Sequence, residues 1–235
     1  MKKYSLIVIL ISCLGCYKDP NDYILKHSNS ILSVATSSDS VVADGKSMII
    51  LTAKISDDAD LKTIMFTTTD GNFLDSTTTY TINANVQNDS LLARSYLISS
   101  LNVTDYVFVK VSVPSLDTTL QLRFVPAYAD SIYIESAINN IAKGYGSEVP
   151  LQTYLIRNTG TPSLHQSVVF SAVDDNNLPI GSFIGISKQG SDSSGLINST
   201  FVLRDSTYTG NVYITATCHS PNNLLISTFK IAITN

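Results

Sequence analysis

The chain has 235 residues, a formal charge of −4 and only 14% charged side chains, with Ser, Thr, Asn and Asp supplying most of its polar surface. An acidic chain without a basic patch has nothing to neutralise phosphates, which excludes nucleic acid as an electrostatic partner. Three cysteines and no tryptophan leave little for a disulfide framework or for the strongest aromatic stacking.

The chain opens on Lys2-Lys3 and an apolar run from Leu6 to Leu14. That run is too short to cross a bilayer, which takes about 20 helical residues, and a basic start followed by a short apolar core reads as a secretory signal. Cys13-Leu14-Gly15-Cys16 resembles the lipobox of bacterial lipoproteins, with Cys13 standing where that family usually has Leu, Val or Ile. The resemblance implies cleavage after Gly15 and acylation of Cys16, so that residues 1–15 are a signal peptide and residues 16–30 a lipidated tether. Each buried methylene contributes about 0.8 kcal/mol, and two or more acyl chains hold a domain on a membrane stably. Tyr17-Lys18-Asp19, with Asp22, resembles the export signal of Bacteroidota lipoproteins. It implies an outer-membrane, lipid-anchored protein at the cell surface, with a periplasm-facing position as the alternative. Loss of Lys2 and Lys3 takes the mature charge to about −6. With Cys13 removed and Cys16 acylated, Cys218 stands alone and no intrachain disulfide forms, so stability has to come from packing.

From Ile31 onward the pattern alternates with period 2, the mark of half-buried strands. Ile49, Leu51, Ala53 and Ile55 share one face; so do Ile64 and Phe66, then Val107, Val109, Val111 and Val113, then Leu120, Leu122 and Phe124. Asp44-Gly45, Asp57–Asp60, Asp70-Gly71, Asn88-Asp89 and Pro114-Ser115 mark turns between the runs. No stretch keeps a helical period, and Ala137–Ala142 makes one helical turn at most. A second cycle begins near Ser131: Val149, Leu151, Thr153 and Leu155; Val168, Phe170 and Ala172; Val212, Ile214, Ala216 and Cys218; Phe229, Ile231 and Ile233. The two cycles superpose at an offset of about 100 residues, with Ala43-Asp44-Gly45 over Ala142-Lys143-Gly144 and Phe66 over Phe170. A repeat of that length with about seven short strands per unit predicts an all-β fold of two tandem immunoglobulin-like β-sandwiches, over residues 31–127 and 128–235. The join around Val125–Tyr128 is too short for a free linker and predicts limited flexing.

The motifs resemble the bacterial Ig-like group 1 domains of invasin and intimin. Ala43-Asp44-Gly45-Lys46-Ser47 before Leu51–Ile55, and Met65–Phe73, resemble that family's opening motif, second strand and third strand. In the second unit Asn158-Thr159-Gly160-Thr161-Pro162, Ser194-Gly195 and Gly210–Ala216 do so. The resemblance implies a stalk or adhesion role; this sequence carries no separate tip domain after its second sandwich. Because these are structural glycines and turns, they speak to fold before function.

Catalysis is not expected. His165 and His219 lie at one end of the second sandwich and with Cys218 would be a zinc or copper candidate. Cys218, however, continues the inward face of Val212, Ile214 and Ala216 and reads as a core thiol, and nothing is seen to orient a Cys-His pair. Asp57–Asp60 and Asp174–Asn177 offer calcium-type oxygens but read as solvated turns, so no metal and no cofactor is assigned. Asp, then Ser or Thr, then an aliphatic residue or Thr recurs at Asp39, Asp75, Asp89, Asp117, Asp130 and Asp205, resembling the O-glycosylation motif of Bacteroidota; Asp-Ser is also a common turn. Topology predicts a distal tip formed by Tyr145, Asp174, Asp175, Asn176, Arg204, Asp205 and Tyr208, from loops at the end away from the tether. The expected partners are the membrane, through the lipid, and a protein or glycan ligand. Three readings stand: an adhesion or stalk module; a glycan-binding accessory lipoprotein of an uptake system, for which Tyr106 and Phe108 are the clustered aromatics; and a purely structural envelope component.

Overall fold

The computed structural model describes residues 31–56, 62–87, 90–114, 116–221 and 223–235. Residues 1–30, which hold the expected signal peptide, Cys16 and the expected tether, and the acidic run Asp57–Asp60 lie outside the described residues.

Two β-sandwiches follow one another. The first contains β1 (Ile31–Thr36), β2 (Ser40–Val42), β3 (Met48–Ile55), β4 (Thr63–Thr68), β5 (Asn72–Phe73), β6 (Thr79–Asn83), β7 (Asn85–Gln87), β8 (Ser90–Ile98), β9 (Thr104–Val113) and β10 (Leu116–Val125). One sheet runs β1-β3-β8-β5, with β7 beside β8, and the other β2-β10-β9-β4-β6. The second contains β11 (Ser131–Glu135), β12 (Asn140–Ala142), β13 (Glu148–Ile156), β14 (Val169–Val173), β15 (Ser182–Ile184), β16 (Leu196–Val202), β17 (Gly210–His219) and β18 (Leu224–Thr234). Its sheets run β11-β13-β16-β15 and β12-β18-β17-β14. The repeat is the same in both units. A first strand pairs antiparallel in one sheet, then crosses and pairs parallel with the last strand in the other. In the first unit Ser38 makes the crossing: its hydroxyl donates to Ser40 O and accepts from Ser40 N, turning the chain off β3 and onto β10. Within Ala137–Ala142, where at most one helical turn is expected, Asn140–Ala142 is instead this crossing strand, because Ile141 finds Ile233 across the ladder.

The alternating residues fill two separate cores. Ile49, Leu51, Phe66, Leu97, Val109 and Phe124 are fully buried in the first, and Val149, Leu151, Leu155, Phe201, Val212 and Ile214 in the second. Each such side chain contributes about 1.5–3 kcal/mol of burial. Phe183 packs between Phe170 and Phe201, with ring centroids 5.5 and 5.7 Å away. Cys218 belongs to the second core, and burial pushes its thiol pKa up.

Between β10 and β11 the chain is held by the loop that follows β13. Ser163 is the bridge: its hydroxyl accepts from Ala127 N at 2.8 Å and donates to Ala43 O at 2.8 Å. Thr161 N donates to Asp44 O, Leu164 N to Leu101 O and Ser163 N to Ala127 O. Gln166 Nε2 adds a bond to Ala127 O at 2.7 Å. Arg157 donates to Tyr128 O and Thr159 O and approaches the buried Asp44 carboxylate at 4.0 Å. The turn at Ala43–Ser47 and the β8–β9 loop of the first sandwich thus dock on the β13–β14 loop of the second. β1 runs from Ile31, opposite Ile55, to Thr36, opposite Leu51, so the chain enters the first sandwich at the end remote from this joint.

Candidate functional site

β13 runs from Glu148 to Ile156 and reaches the joint at Arg157, so the loop preceding it lies at the opposite end of the second sandwich. Three loops meet there, over residues 143–147, 174–181 and 203–209. Gly146 N donates to Leu203 O and Leu203 N to Ser147 O, which joins the first loop to the third. Asp175 joins the second loop to β17: its carboxylate accepts from Asn211 N at 2.9 Å, Asn211 Nδ2 at 3.1 Å and the Tyr213 hydroxyl at 3.4 Å. These donors, Asn211 first, hold its pKa below the ordinary carboxylate value against a smaller opposing effect of desolvation.

Within this end the seven expected tip residues divide. Tyr145 is 72% exposed, and the Arg204 guanidinium stacks over its ring at 5.6 Å, while Arg204 Nε donates to Ser182 Oγ. Asn176 is exposed on the second loop. Asp174, in contrast, is buried rather than displayed: its Oδ1 accepts from Asn176 N and Leu178 N, both at 2.8 Å, and so closes its own turn. Asp205 does the same with Thr207 N, the Thr207 hydroxyl and Tyr208 N. Tyr208 is half-buried against the core and donates its hydroxyl to Asn211 O at 2.7 Å. The side chains this end displays are therefore the Tyr145–Arg204 pair, with Asn176 in the same set of loops. The carboxylates are occupied by protein donors and shape the loops.

Elsewhere, His165 Nδ1 is bonded to Gln189 O at 2.7 Å, and His219 points outward from the end of β17 while Cys218 points inward. Among the described residues no three His, Cys, Asp or Glu side chains gather into a metal-type cluster. In Asp75-Ser76-Thr77 the Asp accepts from the Thr77 amide and hydroxyl, as Asp205 does with Thr207, so each of these Asp-Ser-Thr sequences is a self-capped turn. The residues that sequence reasoning passed over are those of the joint. Asp44 and Gly160 stood in the quoted motifs, but only the fold brings them together: a Cβ on Gly160 would lie 2.7 Å from Asp44 O.

No protein-family model matches this sequence, and no curated protein matches it significantly. Among solved structures it is similar to invasin, a bacterial integrin-binding protein, with a TM-score of 0.59 at 15% identity over 86% of this chain and 39% of that one. It is also similar to the adhesin InvE of Yersinia pseudotuberculosis, with a TM-score of 0.52 at 14% identity over 86% of this chain and 58% of that one. The chain thus spans less than two thirds of either protein. The likeness establishes the fold, two tandem immunoglobulin-like sandwiches as found in bacterial adhesins of the invasin type.

Proposed function

We propose that this chain is a noncatalytic cell-envelope lipoprotein, acylated at Cys16 and displayed on the outer membrane, whose two sandwiches form a stiff spacer that carries a binding end away from the membrane. The observation that carries the reading is the joint. A spacer has to transmit orientation, and here Ser163, Thr161 and Leu164 bond across to Ala43, Asp44 and Leu101 of the other sandwich. The entry of β1 at the end remote from the joint supports the polarity, because a tether there leaves the Tyr145–Arg204 end outermost. The lipobox resemblance supplies the anchor. In cells, Cys16→Ser is expected to move the protein from the membrane to the soluble fraction; retention in the membrane would sink the anchored-rod reading. Tyr145→Ala combined with Arg204→Ala is expected to weaken surface attachment by at least about tenfold. As surface changes they should leave thermal stability within about 0.5 kcal/mol. Unchanged attachment would remove the tip from the account.

A further inference from the structure

The outer face of the β11-β13-β16-β15 sheet carries a second arrangement, one the distal loops do not use. Tyr133 and Glu135 flank the buried Ile134 on β11, and Gln152 and Tyr154 flank the buried Thr153 on β13, so all four side chains point away from the core. The register sets Tyr133 opposite Tyr154, and Glu135 opposite Gln152 opposite Asn198. Directly opposed positions bring Cβ atoms to about 4.5–5.5 Å, so the two tyrosines share one surface patch. Tyr133 is 52% exposed, so its ring is open to solvent. The Tyr154 hydroxyl donates to Gln152 Oε1 at 3.2 Å. Desolvation, then the Glu135 carboxylate, push its pKa above the ordinary phenol value, which keeps it a proton donor.

Beside the tyrosines lies a depression of about 280 Å³ across β13 and β16, bounded by Ala137 and Gly185 and lined by Gln152, Asn198 and Thr200. That volume falls just below the roughly 300–1,000 Å³ typical of small-molecule sites, the size for a single ring and not for a protein loop. Among the described residues neither the Gln152 nor the Asn198 amide nitrogen donates to a protein group, which leaves both free to bond a ligand. The outward positions of the four strands include Glu135 and Glu148 and no Lys or Arg. Such a face repels phosphate, sulfate and carboxylate groups and accepts neutral hydroxyls.

We propose that this face binds a neutral oligosaccharide, with one pyranose ring lying on the Tyr133–Tyr154 platform and its neighbour in the depression, hydrogen-bonded by Glu135, Gln152 and Asn198. A sugar ring offers what the surface asks for: an apolar C–H face for the aromatic bodies and an equatorial rim of hydroxyls for amides and a carboxylate. The alternative aromatics, Tyr106 and Phe108 on β9, lack these companions; their neighbouring amide, Gln121, donates its nitrogen to Asp105 O at 2.9 Å. The site rests on the reading of the chain as a binding module and gives that module a ligand class.

The test uses the full chain, in detergent, on an array of neutral hexopyranose oligosaccharides printed beside sialylated and sulfated ones, followed by titration calorimetry with the best neutral binder. Neutral glycans are expected to bind in preference, Tyr133→Ala and Gln152→Ala each to weaken binding at least about tenfold, and Tyr106→Ala to stay within about twofold. Unchanged thermal unfolding of Tyr133→Ala shows that the loss is local. Binding of anionic glycans alone, binding that survives Tyr133→Ala, binding lost only with Tyr106→Ala, or no glycan binding at all would each overturn the proposal. None of these outcomes touches the Cys16→Ser fractionation, so failure of this site and failure of the anchored-rod reading are separate results.

Discussion

Gly160 occupies a backbone conformation, φ +73°, that residues with a Cβ rarely adopt, and it does so against the other sandwich. A Cβ here would meet Asp44 O at 2.7 Å and Asp44 Cβ at 2.8 Å, so Gly160→Ala strains both the loop and the joint. Such strain costs on the order of 1–3 kcal/mol. Faster hydrogen exchange at the Thr161 and Leu164 amides, by at least about tenfold, with unchanged exchange at Ile214 in β17, is the expected result; equal exchange at all three would refute the close approach. The glycine was visible in the sequence as a turn residue. Its partner was not, because no local pattern encodes contact between separate domains. Thr153 makes the opposite point. It sits on the inward face that alternation predicts, is fully buried, and its hydroxyl has no hydrogen-bond partner among the described residues. Thr153→Val keeps the shape and removes an unsatisfied group, so it is expected to raise unfolding free energy by about 1 kcal/mol in urea titration. A loss of similar size would show that the hydroxyl is satisfied in solution.

At the scale of elements, alternation exposes strands with strong apolar faces and hides the others. β3, β9, β13 and β17 were legible because every inward position but Thr153 is apolar. β8 and β16 were not, since Ser95 and Ser199 interrupt their inward faces. β12 was unreadable for another reason: three residues that pair parallel with β18 carry no period of their own, and tertiary context alone makes them a strand. In the distal loops the position of Asp174 and Asp205 followed from topology, while their work as turn caps depends on backbone amides that a sequence does not display. The turn at Ala43–Ser47 shows the same logic with a consequence for pH. Burial alone would raise the Asp44 carboxyl, yet bonds from Ser47 N, Lys46 N and the Ser47 hydroxyl, with the Arg157 charge, hold its pKa below the ordinary value of 3.8. A group depressed on folding stabilises the structure above its unfolded pKa, and that contribution is lost as pH falls through the folded one. The joint should therefore stay closed at neutral pH and loosen only below the ordinary carboxylate range. Asp44→Asn keeps the Oδ1 acceptor for the Lys46 and Ser47 amides, gives up the bond from the Ser47 hydroxyl to Oδ2, and removes the titration. Scattering profiles from pH 7 to pH 3 are expected to show an acid-dependent broadening in the wild type that is reduced in Asp44→Asn; identical profiles would place the pH response in other carboxylates.

For the whole molecule the question is whether two sandwiches behave as one rod or as two beads, and Ser163 decides it. Its hydroxyl satisfies Ala127 N in the connecting segment and Ala43 O in the first sandwich while its own backbone belongs to the second, so one side chain ties three segments together. Removing it leaves a buried donor and a buried acceptor without that partner, at a cost of about 1–3 kcal/mol. The penalty falls on the joint, because no atom of Ser163 belongs to either hydrophobic core. Ser163→Ala should consequently broaden the distribution of interdomain distances measured by spin labels on the exposed Leu74 and Tyr145 positions, and leave the thermal unfolding of each sandwich nearly in place. Combined with Gly160→Ala the effects should fall short of additive, since both changes act on the same contact with the Ala43–Asp44 segment and the second finds that contact already loosened. If the distances stay narrow in both single variants and in the double, stiffness comes from the short connection through Pro126 alone, and the bonds across the joint are a consequence of the arrangement and not its cause.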